Sequence, residues 1–170
     1  METPKEGSGL ILVIMGVSGS GKTTLGRALA SHLGYDFVDG DDYHPRRNVE
    51  KMRSGRPLTD EDRLPWLKRL NGLVAGYSAR GEDVVLACSA LKSKGREALG
   101  REVPDLRFIF LYGESDVIRE RMQARTQHFM SSELLDSQID CLEPPDDAVP
   151  IPVHLSTAEQ VSLVLEALRA

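Results

Sequence analysis

Residues 10–24, LILVIMGVSGSGKTT, constrain this chain more than any other stretch. A run of branched apolar residues ends at Gly16 and GVSGSGKT follows at once. The pattern G-x-x-x-x-G-K-[ST] thus stands between a predicted buried strand and a predicted helix. A phosphate chain needs several donors converging on it with no side chain in the way. Gly16, Gly19 and Gly21 give the backbone room to turn tightly and approach closely. Successive N–H groups, through Val17, Ser18 and Ser20 to Thr24, then line an anion-binding nest. The helix that starts near Lys22 aims its positive end at the same point. Lys22 suits the β- and γ-phosphates, and the Thr23 hydroxyl suits Mg²⁺. This pattern in this setting implies binding of a nucleoside triphosphate.

Beyond the loop, apolar and polar periods alternate between those of strands and helices. Leu25, Ala28, Leu29 and Leu33 share one face of a helix over 24–33 that Gly34 stops. A short strand is expected over 36–38, and helices over 45–52, with Pro45 in the first turn, and over 59–77. Thr59 and Asp62 have the spacing of a capping box, with Asp where Glu is usual. Strands are expected over 83–88, 106–112 and 151–155, and helices over 92–99, 114–124 and 157–168. Residues 138–145 read as a return to the last strand. Residues 1–9 are a polar leader, and no repeat or low-complexity linker interrupts the rest. This alternation predicts βαβ units: an α/β sandwich of five parallel strands with helices on both faces. The 170 residues fit one domain.

Charge and cysteine content narrow the partners. A formal net charge of −5 argues against nucleic acid, which demands a basic face. Cys88 and Cys141 are too few for a disulfide scaffold or a zinc site. The apolar run at 10–15 is too short for a signal peptide or a membrane span, so a cytoplasmic enzyme without a membrane partner is expected.

Ligands of such sheets lie outside the carboxyl ends of the strands. Asp39, Asp41 and Asp42 follow the second predicted strand. Phosphoryl transfer to a hydroxyl needs a metal ion on the phosphates and a carboxylate on the attacking oxygen. Asp39 suits the metal with Thr23, and Asp41 the acceptor; a solvated acidic turn capping the next helix is the alternative. His44, Arg47 and Lys51 follow, and the last two lie one helical turn apart, where they could hold an anionic polyhydroxylated acceptor or form a solvated surface. Arg63 sits among acids, as ligand or as structural ion pair, and Trp66 reads as core. Ser89 and Lys92, in CSALK, follow a predicted strand; Ser89 suits a helix cap as well as catalysis. Arg121 and Arg125, again one turn apart, and His128 have the composition of a lid over 119–135, or of an exposed arginine-rich helix end.

Taken together, GVSGSGKTT, DGDDYHPRRNVEKM, PLTDEDRLPWL, CSALK, RMQARTQHF and LLDSQIDCLEPP resemble, in order, the motifs of the small P-loop gluconokinases, relatives of the shikimate and adenylylsulfate kinases. The resemblance covers about residues 10–145, and its specificity lies in the second and third motifs. It implies ATP- and Mg²⁺-dependent phosphorylation of D-gluconate at the 6-hydroxyl, in a homodimer. It further implies that residues 16–23 bind ATP and that Asp41 is the base or hydroxyl-orienting group. Arg47, Lys51, Arg63 and Lys92 become gluconate contacts, and Arg121 and Arg125 lid arginines. The chain departs from the family pattern at Gln127, where Gly commonly precedes the His-Phe pair, and at Gly95, where an aromatic residue often precedes the arginine. A sibling kinase for another acceptor would carry different acceptor-side motifs. A regulatory module without turnover would have lost Lys22, the acidic pair or the lid arginines.

Overall fold

Strand β1, Ile11–Met15, is the axis of the molecule, and all five of its side chains are fully buried. The computed structural model describes residues 7–124 and 132–170. Around β1 lie β2 (Asp36–Asp39), β3 (Val84–Ala87), β4 (Leu106–Tyr112) and β5 (Val149–Pro152). They form one parallel sheet in the order β2-β3-β1-β4-β5, with Ile11 opposite both Val84 and Leu106. A continuous apolar run is what a parallel strand covered on both faces requires.

The period-two alternation of β1 divides the core. Leu12 and Ile14 face Leu25 and Leu29 of α1 (Lys22–Leu33), Ile118 of α5 (Ser115–Gln123) and Val164 of α7 (Thr157–Arg169). Ile11, Val13 and Met15 face Trp66, Leu70 and Val74 of α3 (Asp60–Ala79) and Leu99 of α4 (Ser93–Gly100). Helix α2 (Arg46–Arg53) follows β2 after a 3₁₀ turn at Gly40–Tyr43. Among the described residues no helix is long and apolar enough to cross a membrane.

The expected α/β sandwich of five parallel strands is the observed fold, and two local readings need correction. The last strand runs over Val149–Pro152, not 151–155. It is an edge strand, where Pro150 and Pro152 can sit without a ladder N–H, and the chain turns at Val153. Helix α6 (Ser132–Cys141) occupies ground read in part as a simple return segment. It is anchored by Leu134 and Leu135, which are buried, and by Ile139 against the same core. The polar leader is tied down at its end, since Gly9 N–H donates to Ser78 O at 3.1 Å and the Ser8 hydroxyl bonds Asp105.

Candidate active site

The phosphate loop leaves β1 at the carboxyl edge, where β3 and β4 flank it. Gly16 and Gly19 are required by contact as well as by conformation, and Gly21 by conformation alone. Gly16, Gly19 and Gly21 have φ of 150°, 80° and 98°. A Cβ on Gly16 would stand 2.8 Å from Leu111 O, and one on Gly19 2.5 Å from Met122 Cγ. The loop is thus held between β4 and α5, and α1 starts at Lys22 with no side-chain cap. Its N-terminus is the end of a helix that suits an anion. Lys22 Nζ donates to Val17 O at 3.0 Å, across its own loop. Ser18, Gly19, Gly21, Lys22 and Thr23 line a cleft, whereas Ser20 is fully buried, with no hydrogen-bond partner for its hydroxyl oxygen among the described residues.

The opposite wall comes from β2 and the turn after it. Asp39 ends the strand; its Oδ1 accepts from Asp41 N–H at 3.0 Å and its Oδ2 lies 3.4 Å from Thr23 Oγ1. A hydroxyl and a carboxylate converging beside a phosphate loop fit Mg²⁺, which takes one or two protein oxygens and completes its shell with phosphates and water. Among the described residues there is no cluster of three or more His, Cys, Asp and Glu that could hold a metal ion. Asp41 lies in the same cleft. Protein atoms crowd its carboxyl and raise its pKa above the ordinary value; Lys22 opposes the shift, and Asp39 and Asp42 reinforce it. Its side chain is still 39% exposed, so the group is crowded yet reachable.

His44 is held flat against Trp66, with ring centroids 4.0 Å apart and planes 17° from parallel. Trp66 Nε1 donates to Gly40 O at 2.7 Å, which fixes the turn that carries Asp41. Trp66 is core, as read, and one wall of the cleft as well. Asn48 Nδ2 donates to Asp62 O at 2.9 Å and lies 3.3 Å from His44 Nδ1. The His44 side chain is only 4% exposed; burial first, then the Arg63 charge, lowers its pKa to about 4. A neutral buried histidine contributes stability that is present above its unfolded pKa of about 6.5 and lost as pH falls through about 4. Chemical denaturation at pH 7, 5.5 and 4 should therefore show His44→Phe losing less stability across that window than the parent chain.

The basic residues separate into two groups. Arg63 lines the cleft, with Nη1 3.5 Å from Asp60 Oδ1. Lys51 is paired to Asp62 Oδ2 at 2.6 Å, and that bond, with those from Thr59, lowers the Asp62 pKa to about 2. Asp62 also completes the expected capping box of α3. Lys92 pairs with Asp60 at 2.9 Å outside the main cleft, and Arg47 is exposed and absent from its walls. Ser89 lines the cleft and its carbonyl accepts from Gly16 N–H at 3.3 Å. The helix-cap alternative for Ser89 is excluded, because the N-cap position of α4 falls at Lys92, three residues later. Arg121 donates to Val153 O at 2.6 Å, and its Nη1 lies 4.0 Å from where a Cβ on Gly21 would stand. Arg125, Gln127 and His128 lie outside the described residues.

Helix α6 supplies a third wall that sequence reasoning missed. Leu134, Ser137 and Gln138 line the cleft, and Gln138 Oε1 accepts from Ser18 N–H at 2.7 Å. The signal for the helix was present in Leu134, Leu135, Ile139 and Leu142, whose spacing is helical. Behind α6, the buried Arg96 donates to Ala90 O, Leu91 O and Glu143 O, joining the loop after β3 to the segment after α6. Gly95, beside it, borders an apolar groove with Leu64 and Leu67.

A family profile described as an AAA domain matches residues 11–145. The thermosensitive gluconokinase of Escherichia coli is 46% identical over 138 residues, 81% of this chain and 74% of its own length. The gluconokinase of Gluconobacter oxydans is 43% identical over 157 residues, 92% of this chain and 88% of its own. The crystal structure of a gluconokinase from Sinorhizobium meliloti superposes with a TM-score of 0.85 at 44% identity, covering 95% of this chain and 92% of that one. Identity of this order over most of both chains, together with the shared fold, makes this protein a member of the gluconokinase family of P-loop kinases.

Proposed function

We propose that this chain transfers the γ-phosphoryl group of ATP to the 6-hydroxyl of D-gluconate, giving 6-phospho-D-gluconate and ADP. The observation that carries the reading is the single cleft in which Lys22 and the phosphate loop face Asp41, with Arg63 on the acceptor side. Residues 16–24 hold the triphosphate through Lys22 and through backbone N–H groups other than those of Gly16, Ser18 and Ser20, which donate to Ser89 O, Gln138 Oε1 and Val17 O. Asp41 orients the acceptor hydroxyl and takes its proton as the oxygen attacks the γ-phosphorus and the bond to the leaving ADP breaks. Thr23 and Asp39 would hold Mg²⁺, which neutralises phosphate charge. Arg63, Ser89 and His44 border the acceptor, and Arg121 stands beside the loop at Gly21. The reading gives Arg47, Lys51 and Lys92 outer electrostatic roles towards the gluconate carboxylate, and gives Arg125 and His128 a part in covering the transferred group.

The wider reading treats residues 1–170 as one cytoplasmic domain, with a lid region over about 119–135, working as a homodimer without a nucleic-acid or membrane partner. The test is ADP release with ATP and Mg²⁺ on D-gluconate, shikimate, adenylylsulfate and AMP in parallel. Turnover on gluconate alone is expected. Turnover on a different acceptor would overturn the gluconate assignment and leave the phosphate-loop assignments standing.

A further inference from the structure

We infer that Gln138 is a positioning residue for phosphoryl transfer, acting through the backbone of Ser18; the inference rests on the kinase reading of this cleft. Ser18 is the third residue of the GVSGSGKT loop and is buried, so its N–H cannot turn to bulk water. The group that satisfies it is a side chain 120 residues later, the carboxamide oxygen of Gln138 at 2.7 Å. The donor is a backbone N–H, so the oxygen of the amide must face it. Few other side chains could serve: a shorter amide on the same helix would not reach, and a carboxylate would place negative charge where phosphates bind.

The helix carrying Gln138 is itself well fixed. Leu135 is fully buried in the core, and Asp136 is paired to Arg119 of α5 at 2.5 Å. Behind the end of α6, Arg96 and the Glu143–Leu91 backbone bond tie the chain to the loop after β3. Gln138 therefore joins the first half of the phosphate loop to a rigid wall that also borders the acceptor side of the cleft. Such a bond sets the height of the loop relative to Asp41. Reacting groups misplaced by about 1 Å can lose about a hundredfold in rate. The contact thus acts on the alignment of donor and acceptor more than on either alone.

The experiment compares Gln138→Leu and Gln138→Glu with the parent enzyme in two assays. The first is calorimetric ATP affinity without acceptor; the second is the ratio of phosphorylated acceptor to ATP hydrolysed at saturating substrates. Gln138→Leu, which keeps size and loses the acceptor atom, should lower kcat at least tenfold and raise the share of ATP lost to water at least fivefold. Gln138→Glu keeps the bond to Ser18 and adds charge beside the phosphates, so it should weaken ATP binding at least tenfold with a smaller loss of kcat. If Gln138→Leu stays within twofold of the parent in kcat, KM and coupling ratio, or loses only melting temperature, the inference is overturned. Unchanged ATP affinity in Gln138→Glu overturns it too. The calorimetric arm needs no acceptor, so a parent enzyme inactive on gluconate would refute the acceptor reading separately, while the ATP affinity of Gln138→Glu against the parent would still decide whether Gln138 acts on the phosphate loop.

Discussion

Lys22→Ala is expected to lower turnover by about a hundred- to a thousandfold, the range found when a preorganised group facing transition-state charge is removed. Lys22 is the cation of the phosphate loop in this cleft, and in the chain as observed its ammonium group crosses the loop to Val17 O. The substitution removes both a partner for the transferred phosphoryl group and a brace of the loop. ATP affinity should therefore fall as well, but by less than turnover. Steady-state kinetics with calorimetric ATP binding separates the two, and a loss confined to KM would assign Lys22 to ground-state binding alone. A second consequence follows from charge. Lys22 lowers the Asp41 pKa against the effect of burial. Without it that pKa should rise, so the acid limb of the residual activity should move to higher pH.

The legibility of this site in the sequence follows from how local each signal is. The phosphate loop is contiguous, so its setting between β1 and α1 and the positive φ of Gly16, Gly19 and Gly21 were legible from residues 10–24 directly. The capping box at Thr59 and Asp62 is likewise local, and both of its bonds are present at 3.1 and 2.8 Å. Arg47 and Lys51 show where locality misleads. Helical spacing places them one turn apart, but Lys51 is drawn to Asp62, eleven residues on, while Arg47 stays exposed. Ser18 with Gln138 is the extreme case: the bond exists because α6 crosses the carboxyl edge of the sheet, and no spacing within either segment encodes it. Likewise Trp66 reads as core from its setting, yet its indole N–H fixes the carbonyl of Gly40, one residue before Asp41.

Asp41→Asn should separate function from stability in opposite directions. Loss of a positioned base or hydroxyl-orienting group costs about a hundred- to ten-thousandfold in rate. The amide keeps the size of the carboxyl, so ATP affinity should stay within a few fold. The parent enzyme's activity should fall on the acid side at a pH above the ordinary carboxylate range, because crowding raises the Asp41 pKa and Asp39 and Asp42 add to it. The variant should lack that limb. For stability the sign is fixed by the same shift. A carboxyl whose folded pKa is raised contributes stability fully present below its unfolded pKa of about 4 and lost as pH rises through the folded value. Above the unfolded pKa the raised folded value therefore weakens the fold, and an uncharged Asn should melt at a higher temperature than the parent at pH 7.5. That gain should fade below about pH 4, where both side chains are neutral. Melting curves at pH 7.5 and 4 with matched kinetics make the comparison. A variant with full turnover would remove Asp41 from the chemistry. A variant that lost both turnover and stability at neutral pH would make the carboxylate a structural partner in the turn after β2, and the raised pKa would no longer mark a site where stability has been given up for reactivity.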